Sequence, residues 1–141
     1  MSTEFENGHD TLKDETRANL KNLSKAMLRL HKTLLDAAKL DYEAKHGRIA
    51  SVNLYFQLVI DDLHFAWLRK ISSLIALIDE AVSVRRPAIE SEARALLNEA
   101  QLLLNFQDAD EDFNSKFQNA LQTNTVAVLN YNDTLRFVSE K

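Results

Sequence analysis

Two pairs of an acidic residue and a histidine, each separated by three positions, are the strongest candidates for chemistry in this sequence. Glu43 precedes His46, and Asp61 precedes His64. Four-helix proteins that hold two carboxylate-bridged metal ions use this spacing, because both ligands then point inward from one helical turn. Such proteins need two complete motifs and two further glutamates. The ligand set here is incomplete, so a metal-binding, ferritin-like bundle or enzyme is an alternative hypothesis.

A row of basic residues along the predicted first helix could bind phosphates. Its members are mostly four positions apart: Lys13, Arg17, Lys21, Lys25, Arg29 and the nearby Lys32. Nucleic-acid-binding domains combine such a row with an overall basic charge. This chain has a net charge of −4, and no aromatic or amide side chains interleave with the row. Weak nucleic-acid binding is therefore a second alternative, and a solvated helix face is the simpler interpretation.

The acidic run from Asp108 to Asp112 resembles the start of a calcium loop. Phe113 stands where such a loop needs glycine, and Asn119 replaces the bidentate glutamate. Negative side chains favour the N-terminus of a helix, where backbone N–H groups are free. We therefore expect an acidic helix start and no calcium site.

Four polar residues fall inside or near predicted apolar faces: His31, Asp41, Arg69 and Asp79. A carboxylate that faces a core needs a partner, and we expect structural pairs here. The sequence contains no nucleophile–base–orienter set and no glycine-rich phosphate loop. It therefore predicts no catalytic residue and no cofactor, and it favours a protein that is not an enzyme.

The composition predicts an all-α fold. The 141 residues include two glycines, one proline and no cysteine, which is too few turn residues for a sheet protein. The lack of cysteine excludes disulfides and thiolate metal sites. No apolar run approaches the roughly 20 residues that cross a bilayer, and residues 1–10 resemble a disordered tail and not a signal peptide. We expect one cytoplasmic domain over residues 11–141, without a membrane partner.

Apolar periodicity predicts an antiparallel four-helix-bundle-like domain with a long N-terminal helix and two bent helix pairs. The first helix should begin at a cap on Asp10 or Thr11 and end at Gly47. Its seam is formed by Leu20, Leu23, Met27, Leu30 and Leu34. The later helices should cover Val52 to Ile60 after a Ser51 cap, Leu63 to Val84 after an Asp62 cap, Pro87 to Asn105, Glu111 to Leu121 and Thr125 to Val138.

The last helix has two apolar faces. Val126, Leu129 and Phe137 lie away from the stripe that contains Tyr131 and Leu135. The fold could cover this second face, or the face could contact another chain. We slightly favour the covered arrangement and keep the other as a possible interface.

Several runs together resemble a family of small, uncharacterised bacterial proteins over about Leu28 to Leu129. The runs are Leu30-His31-Lys32-x-Leu34-Leu35, His46-Gly47-x-Ile49, Phe65-Ala66-Trp67-Leu68-Arg69 and Ile78-Asp79-Glu80. The chain departs from the family at Leu63 and Lys70, where members often carry proline. The resemblance implies a bacterial source and a helical fold, and it implies no activity.

These observations favour a non-catalytic module for protein–protein interaction or self-association, with a homodimer as one form. They identify no specific ligand or partner.

Overall fold

The structure, a computed structural model, describes residues 10–139, and most of this part of the chain is helical. That part contains seven helices and no strand, so the predicted all-α class is confirmed. None of these helices is both long and apolar enough to cross a membrane. The helices are α1 (Asp14–His46), α2 (Val52–Asp61), α3 (Leu63–Ala66), α4 (Arg69–Ala81), α5 (Glu90–Leu104), α6 (Glu111–Gln122) and α7 (Thr125–Leu135).

Helix α1 is the axis of the packing. Its 33 residues make it about 50 Å long. The predicted seam is fully buried against α7, α4 and α5, which pack along it. Burial of this seam explains why the helix forms, because tertiary packing of one apolar face stabilises a helix more than propensity does. The predicted order of four antiparallel layers is a finer statement and stays a prediction.

The third predicted helix is divided. The continuous helix expected from Leu63 to Val84 is interrupted at Trp67 and Leu68, which separate α3 from α4. There the amide of Leu68 donates to the Phe65 carbonyl, and the amide of Ile71 donates to the Leu68 carbonyl. These bonds span three residues, and the tighter turn places Phe65, Leu68 and Ile71 above one another in the core.

Aromatic packing fixes the turn after α5. Phe106 has a φ of 61°, a left-handed conformation that costs a non-glycine residue roughly 1 kcal/mol or more. Its ring centroid lies 5.3 Å from that of the buried Phe117 and 5.8 Å from that of Tyr131. Contacts of this kind offset the backbone cost.

The acidic run at Asp108 starts a helix, as predicted. Asp110 caps α6 by accepting hydrogen bonds from the amides of Asp112 and Phe113. Asp108 accepts from the Asp110 amide and lies 3.0 Å from the Lys70 ammonium. Burial raises the pKa of Asp108, but these two contacts outweigh it and leave the pKa below its ordinary value.

Two acidic residues join the N-termini of α1 and α5. Asp10 accepts from the amide and hydroxyl of Ser91, and its carbonyl accepts from the Glu90 amide. In return, the Glu90 carboxylate accepts from the Lys13 amide at 3.0 Å and the Thr16 hydroxyl at 2.7 Å. Each acid therefore caps the other's helix, and we call this arrangement the reciprocal cap.

The reciprocal cap corrects two expectations. The residue proposed to cap α1, Asp10, caps α5 instead, and α1 begins at Asp14 with no side-chain cap from Lys13. Asp10 was also expected to belong to a disordered tail, but it is held by these hydrogen bonds. The rest of that tail, residues 1–9, lies outside the described residues. A cap that lies next to its helix can be predicted from sequence spacing. A cap supplied by a carboxylate 77 positions away, such as Glu90 for the Lys13 amide, cannot.

Glu90→Gln tests the reciprocal cap. Burial raises the pKa of Glu90, but hydrogen bonds from Lys13 and Thr16 and the nearby charge of Arg94 lower it more, so the net pKa lies below its ordinary value. A lowered folded-state pKa contributes stability above the unfolded-state pKa and loses it as pH falls through the folded-state value. We expect the variant to lose about 2 kcal/mol of unfolding free energy at neutral pH and to converge with wild type in acid. Denaturant titrations at several pH values measure this, with the exposed Glu99→Gln as control. A deficit that stays constant with pH would contradict the assignment.

Leu30→Ala tests the seam of α1. Leu30 is fully buried, whereas Leu28 on the same helix is 57% exposed. We expect Leu30→Ala to lower the unfolding free energy by about 3 kcal/mol and Leu28→Ala to change it by less than about 0.5 kcal/mol. Urea denaturation followed by circular dichroism compares the two. Equal effects would mean that the seam is assigned to the wrong face.

Candidate functional site

Helix α2 exposes apolar side chains that a folded chain normally buries. Seven of its ten residues are apolar, yet none is fully buried. Val52, Phe56 and Ile60 are 68%, 59% and 62% exposed. They are four positions apart and so form one stripe on the helix. We call this stripe the α2 face.

Leu63, the first residue of α3, adds to the exposed apolar surface near the α2 face and is 82% exposed. Leu54 is also exposed, but it lies about 160° around the helix from Phe56 and belongs to a different side. Single exposed apolar residues are ordinary, but a contiguous group of this size is typical of an interaction site.

A neighbouring side of α2 holds the helix to the fold through few contacts. Tyr55, Leu58 and Val59 are half-buried against the core. The Tyr55 ring lies 6.2 Å from the Phe65 ring, measured between centroids. The Arg69 guanidinium donates to the Val59 carbonyl at 2.8 Å. Helix α2 packs chiefly against the four-residue helix α3, so it is the least buried of the helices described.

Local caps set where α2 begins and ends. The Ser51 hydroxyl accepts from the Leu54 amide, as predicted. The Asp62 carboxylate accepts from the His64 amide and so starts α3, also as predicted. The extended backbone at Asp62 separates the two helices. These caps fix the length of α2 at ten residues, but they do not decide which of its sides faces the core.

The Tyr55 hydroxyl is an unusual group at the base of α2. It is buried and has no hydrogen-bond partner among the described residues. Burial raises the pKa of Tyr55, and the charges of Asp36 and Glu43 raise it further. The Lys39 ammonium lies 5.0 Å from the centroid of the ring, a cation–π contact. The phenol therefore stays protonated and acts as packing surface.

The four candidate metal ligands are engaged separately. The Glu43 carboxylate accepts from the Ile49 amide at 2.9 Å, and His64 Nε2 donates to the Ala38 carbonyl at 2.8 Å. The His46 ring packs on Tyr42, with 4.5 Å between centroids, and Asp61 is exposed. Within residues 10–139, no three histidine or carboxylate side chains group as a metal would require.

A groove of about 730 Å³ runs beside His64 between α1, α3 and α6. Its charged and histidine lining residues are already paired: Asp41 lies 3.3 Å from Lys45 and 3.7 Å from His64 Nε2, and Lys116 lies 3.1 Å from Asp112. The lining residues contain no nucleophile next to a free base. The groove is therefore a cavity whose side chains form no catalytic arrangement.

The predicted buried polar residues lie closer to solvent than expected. Asp41 is exposed, contrary to its predicted place inside the apolar arc, because α1 has no fully buried residue after Leu34 and is only half-covered beyond it. Asp79 is also exposed and accepts from the Ser24 hydroxyl at 2.5 Å. The Arg69 guanidinium donates to the Val59 carbonyl of α2. His31 is half-buried, and burial lowers the pKa of its imidazole.

The basic row is only partly available to a ligand. The Arg17 guanidinium donates to the Val82 carbonyl, and the exposed Lys32 lies 3.0 Å from Asp36. Lys13, Lys21, Lys25 and Arg29 are exposed. A row of exposed cations on an acidic domain is a weak basis for phosphate binding.

The second apolar face predicted for the last helix is partly exposed and partly packed against the core. Val126 and Leu129 are exposed, contrary to the arrangement in which the fold covers them, whereas Phe137 packs against the core. The Phe137 carbonyl accepts from the Asn19 side chain at 3.0 Å, which holds this end of the chain on α1. The three residues therefore do not form one exposed interface.

Sequence reasoning missed the α2 face. The signal that could have revealed it is the absence of any charged residue from Val52 to Ile60. A surface helix usually carries charged or polar residues on its outer side.

Comparison with known proteins gives no relative for this chain: no family model, curated protein or solved structure matches it. The resemblance to a bacterial family therefore stays a prediction, and function has to be argued from the surface itself.

Arg69→Met tests how α2 is held. The substitution removes the hydrogen bond to the Val59 carbonyl and keeps an apolar stem. We expect limited proteolysis to cut between residues 47 and 62 several times faster, because local opening becomes easier, while the global unfolding free energy changes little. Arg85→Met, at an exposed position, is the control. Unchanged cleavage in this segment would contradict the proposed attachment.

Proposed function

We propose that this chain is a non-catalytic protein–protein interaction module and that the α2 face is its contact surface. The observation that carries the proposal is the exposure of Val52, Phe56 and Ile60 on a helix whose apolar stripe has no cover among the described residues.

The energy available at the α2 face supports the proposal. Full burial of an aliphatic or aromatic side chain contributes about 1.5–3 kcal/mol. Covering the exposed parts of three such side chains therefore contributes roughly 3–5 kcal/mol. That is a substantial part of the free energy of a micromolar complex, about 8 kcal/mol.

The polar groups beside α2 support a binding role over a catalytic one. His64 and Glu43 hydrogen-bond to main-chain groups, and Asp41 pairs with Lys45. These contacts hold the end of α1 and the start of α3 in place. An active site needs such groups to be directed at a substrate.

Source and location are part of the same proposal. A bacterial origin is supported by the family resemblance of the sequence runs. A cytoplasmic location is supported by the lack of cysteine, since proteins in oxidising compartments often use disulfides.

Photo-crosslinking in cells of the source organism tests the proposed function. A photoreactive phenylalanine analogue at position 56 should give a discrete crosslinked protein species, because the side chain would be covered by the partner. The same analogue at position 129, exposed on α7, is the matched control. Adding Ile60→Asp to the chain labelled at position 56 should abolish the product. The absence of any specific product at position 56 would contradict the proposed function.

A further inference from the structure

We propose that the groove between α4 and α5, here called the α4–α5 groove, is a second docking surface and that its occupant is a basic amphipathic helix of another protein. None of the residues that line this groove belongs to the α2 face. The surface is therefore separate from the one in the proposed function.

The α4–α5 groove consists of two adjoining cavities. The first, of about 560 Å³, lies next to the turn that joins the two helices, and the second, of about 370 Å³, continues towards the start of α4. Leu77 and Glu99 line both cavities, so the groove is continuous. Along α5 its lining extends from Glu92 to Leu103, a length of about 16 Å. Three turns of a bound helix have the same length.

The floor of the groove is apolar and has room for side chains of a partner. Leu77 is 52% exposed, and Leu96 in the same cavity is half-buried. The other apolar residues of this cavity include Ala81, Ala88 and Ala95, whose small side chains leave the space open. Amphipathic helices bind grooves of this kind by inserting apolar side chains from successive turns.

The rim of the first cavity carries an excess of negative charge. Glu80 on α4 and both Glu92 and Glu99 on α5 are exposed. None of the three forms an ion pair with another residue of the described part of the chain. The only cation that lines this cavity is the Arg86 guanidinium. Excess negative charge around an apolar floor favours an occupant with Lys or Arg beside its apolar stripe.

The second cavity is balanced in charge. The Lys70 ammonium lies 3.0 Å from the Asp108 carboxylate, and the Arg69 guanidinium is directed at the Val59 carbonyl. Two cations and two carboxylates, with Glu99 as the second, therefore line this cavity. The basic residues of the partner helix are consequently expected beside the first cavity, next to the turn between α4 and α5.

A second copy of this chain fits the groove poorly. On α1, which carries the row of exposed cations, Leu28 is the only large exposed apolar side chain between Lys21 and Lys32. A helix that fills such a groove uses several apolar anchors, spaced three and four positions apart. The occupant is therefore a helix with a longer apolar stripe, from a different protein.

Selection from a displayed library of helical peptides tests this docking surface. The peptides have about 18 residues in an alanine-rich frame, which is long enough to form a helix, and one side of the helix is randomised. We expect the purified chain to enrich peptides with apolar residues at spacings of three and four, flanked by Lys or Arg. Enrichment of acidic or uncharged peptides would overturn the basic occupant, and failure to enrich any helical peptide would overturn the docking surface.

Fluorescence anisotropy of an enriched peptide then locates its binding site. Leu77→Gln should weaken binding about fivefold, because an apolar contact is lost. Glu80→Lys combined with Glu99→Lys should weaken it about tenfold through charge repulsion. Asp61→Lys combined with Asp133→Lys changes the net charge equally at exposed positions outside the groove, and should alter affinity less than about twofold. Each variant should keep the wild-type helical circular dichroism, because all five positions are exposed.

A peptide that binds the groove variants as tightly as wild type, or is weakened equally by the control pair, would overturn the groove as its site. Phe56→Glu, on the α2 face, should leave peptide binding unchanged. Loss of peptide binding in the groove variants and a crosslink from position 56 are independent results, so either docking surface can fail without the other.

Discussion

Burial of the leucine-rich seam of α1 is the interaction on which the rest of the structure depends. The seam supplies the surface against which α4, α5 and α7 pack, and each of those helices buries its own apolar side in the same core. Helices of 10–15 residues are marginal alone in water, so their stability comes from this packing. Residues that stand off the seam, such as Asp41 and Leu28, are consequently left at the surface.

The two ends of α1 differ in how firmly the rest of the fold is attached to them. At the N-terminal end, the reciprocal cap between Asp10 and Glu90 satisfies backbone donors of two helices with two carboxylates. At the C-terminal end, a short helix and an aromatic cluster cover α1, and α2 attaches through half-buried side chains and one hydrogen bond from Arg69. Apolar surface remains exposed at this second end, which is where the proposed interaction occurs.

The features that depend on local sequence could be predicted, and those that depend on distant contacts could not. The helix class, the Ser51 and Asp62 caps and the acidic start of α6 follow from residues within a few positions of each other. Glu90 as the cap of α1 and the break at Trp67 depend on tertiary packing. The α2 face was missed because apolar residues lie on every side of that helix except the stripe of Asn53, Gln57 and Asp61, so periodicity could not say which apolar side the fold would cover.

The central claim is that the other helices form a stable fold without help from α2, and that α2 is exposed so that it can contact a partner. Hydrogen exchange measured by mass spectrometry in dilute protein tests it most directly. The account predicts that amides of α1 and α4 exchange only through global unfolding, whereas amides of α2 exchange much faster. Amides of α2 that are protected as strongly as those of α1 in dilute protein would contradict the account.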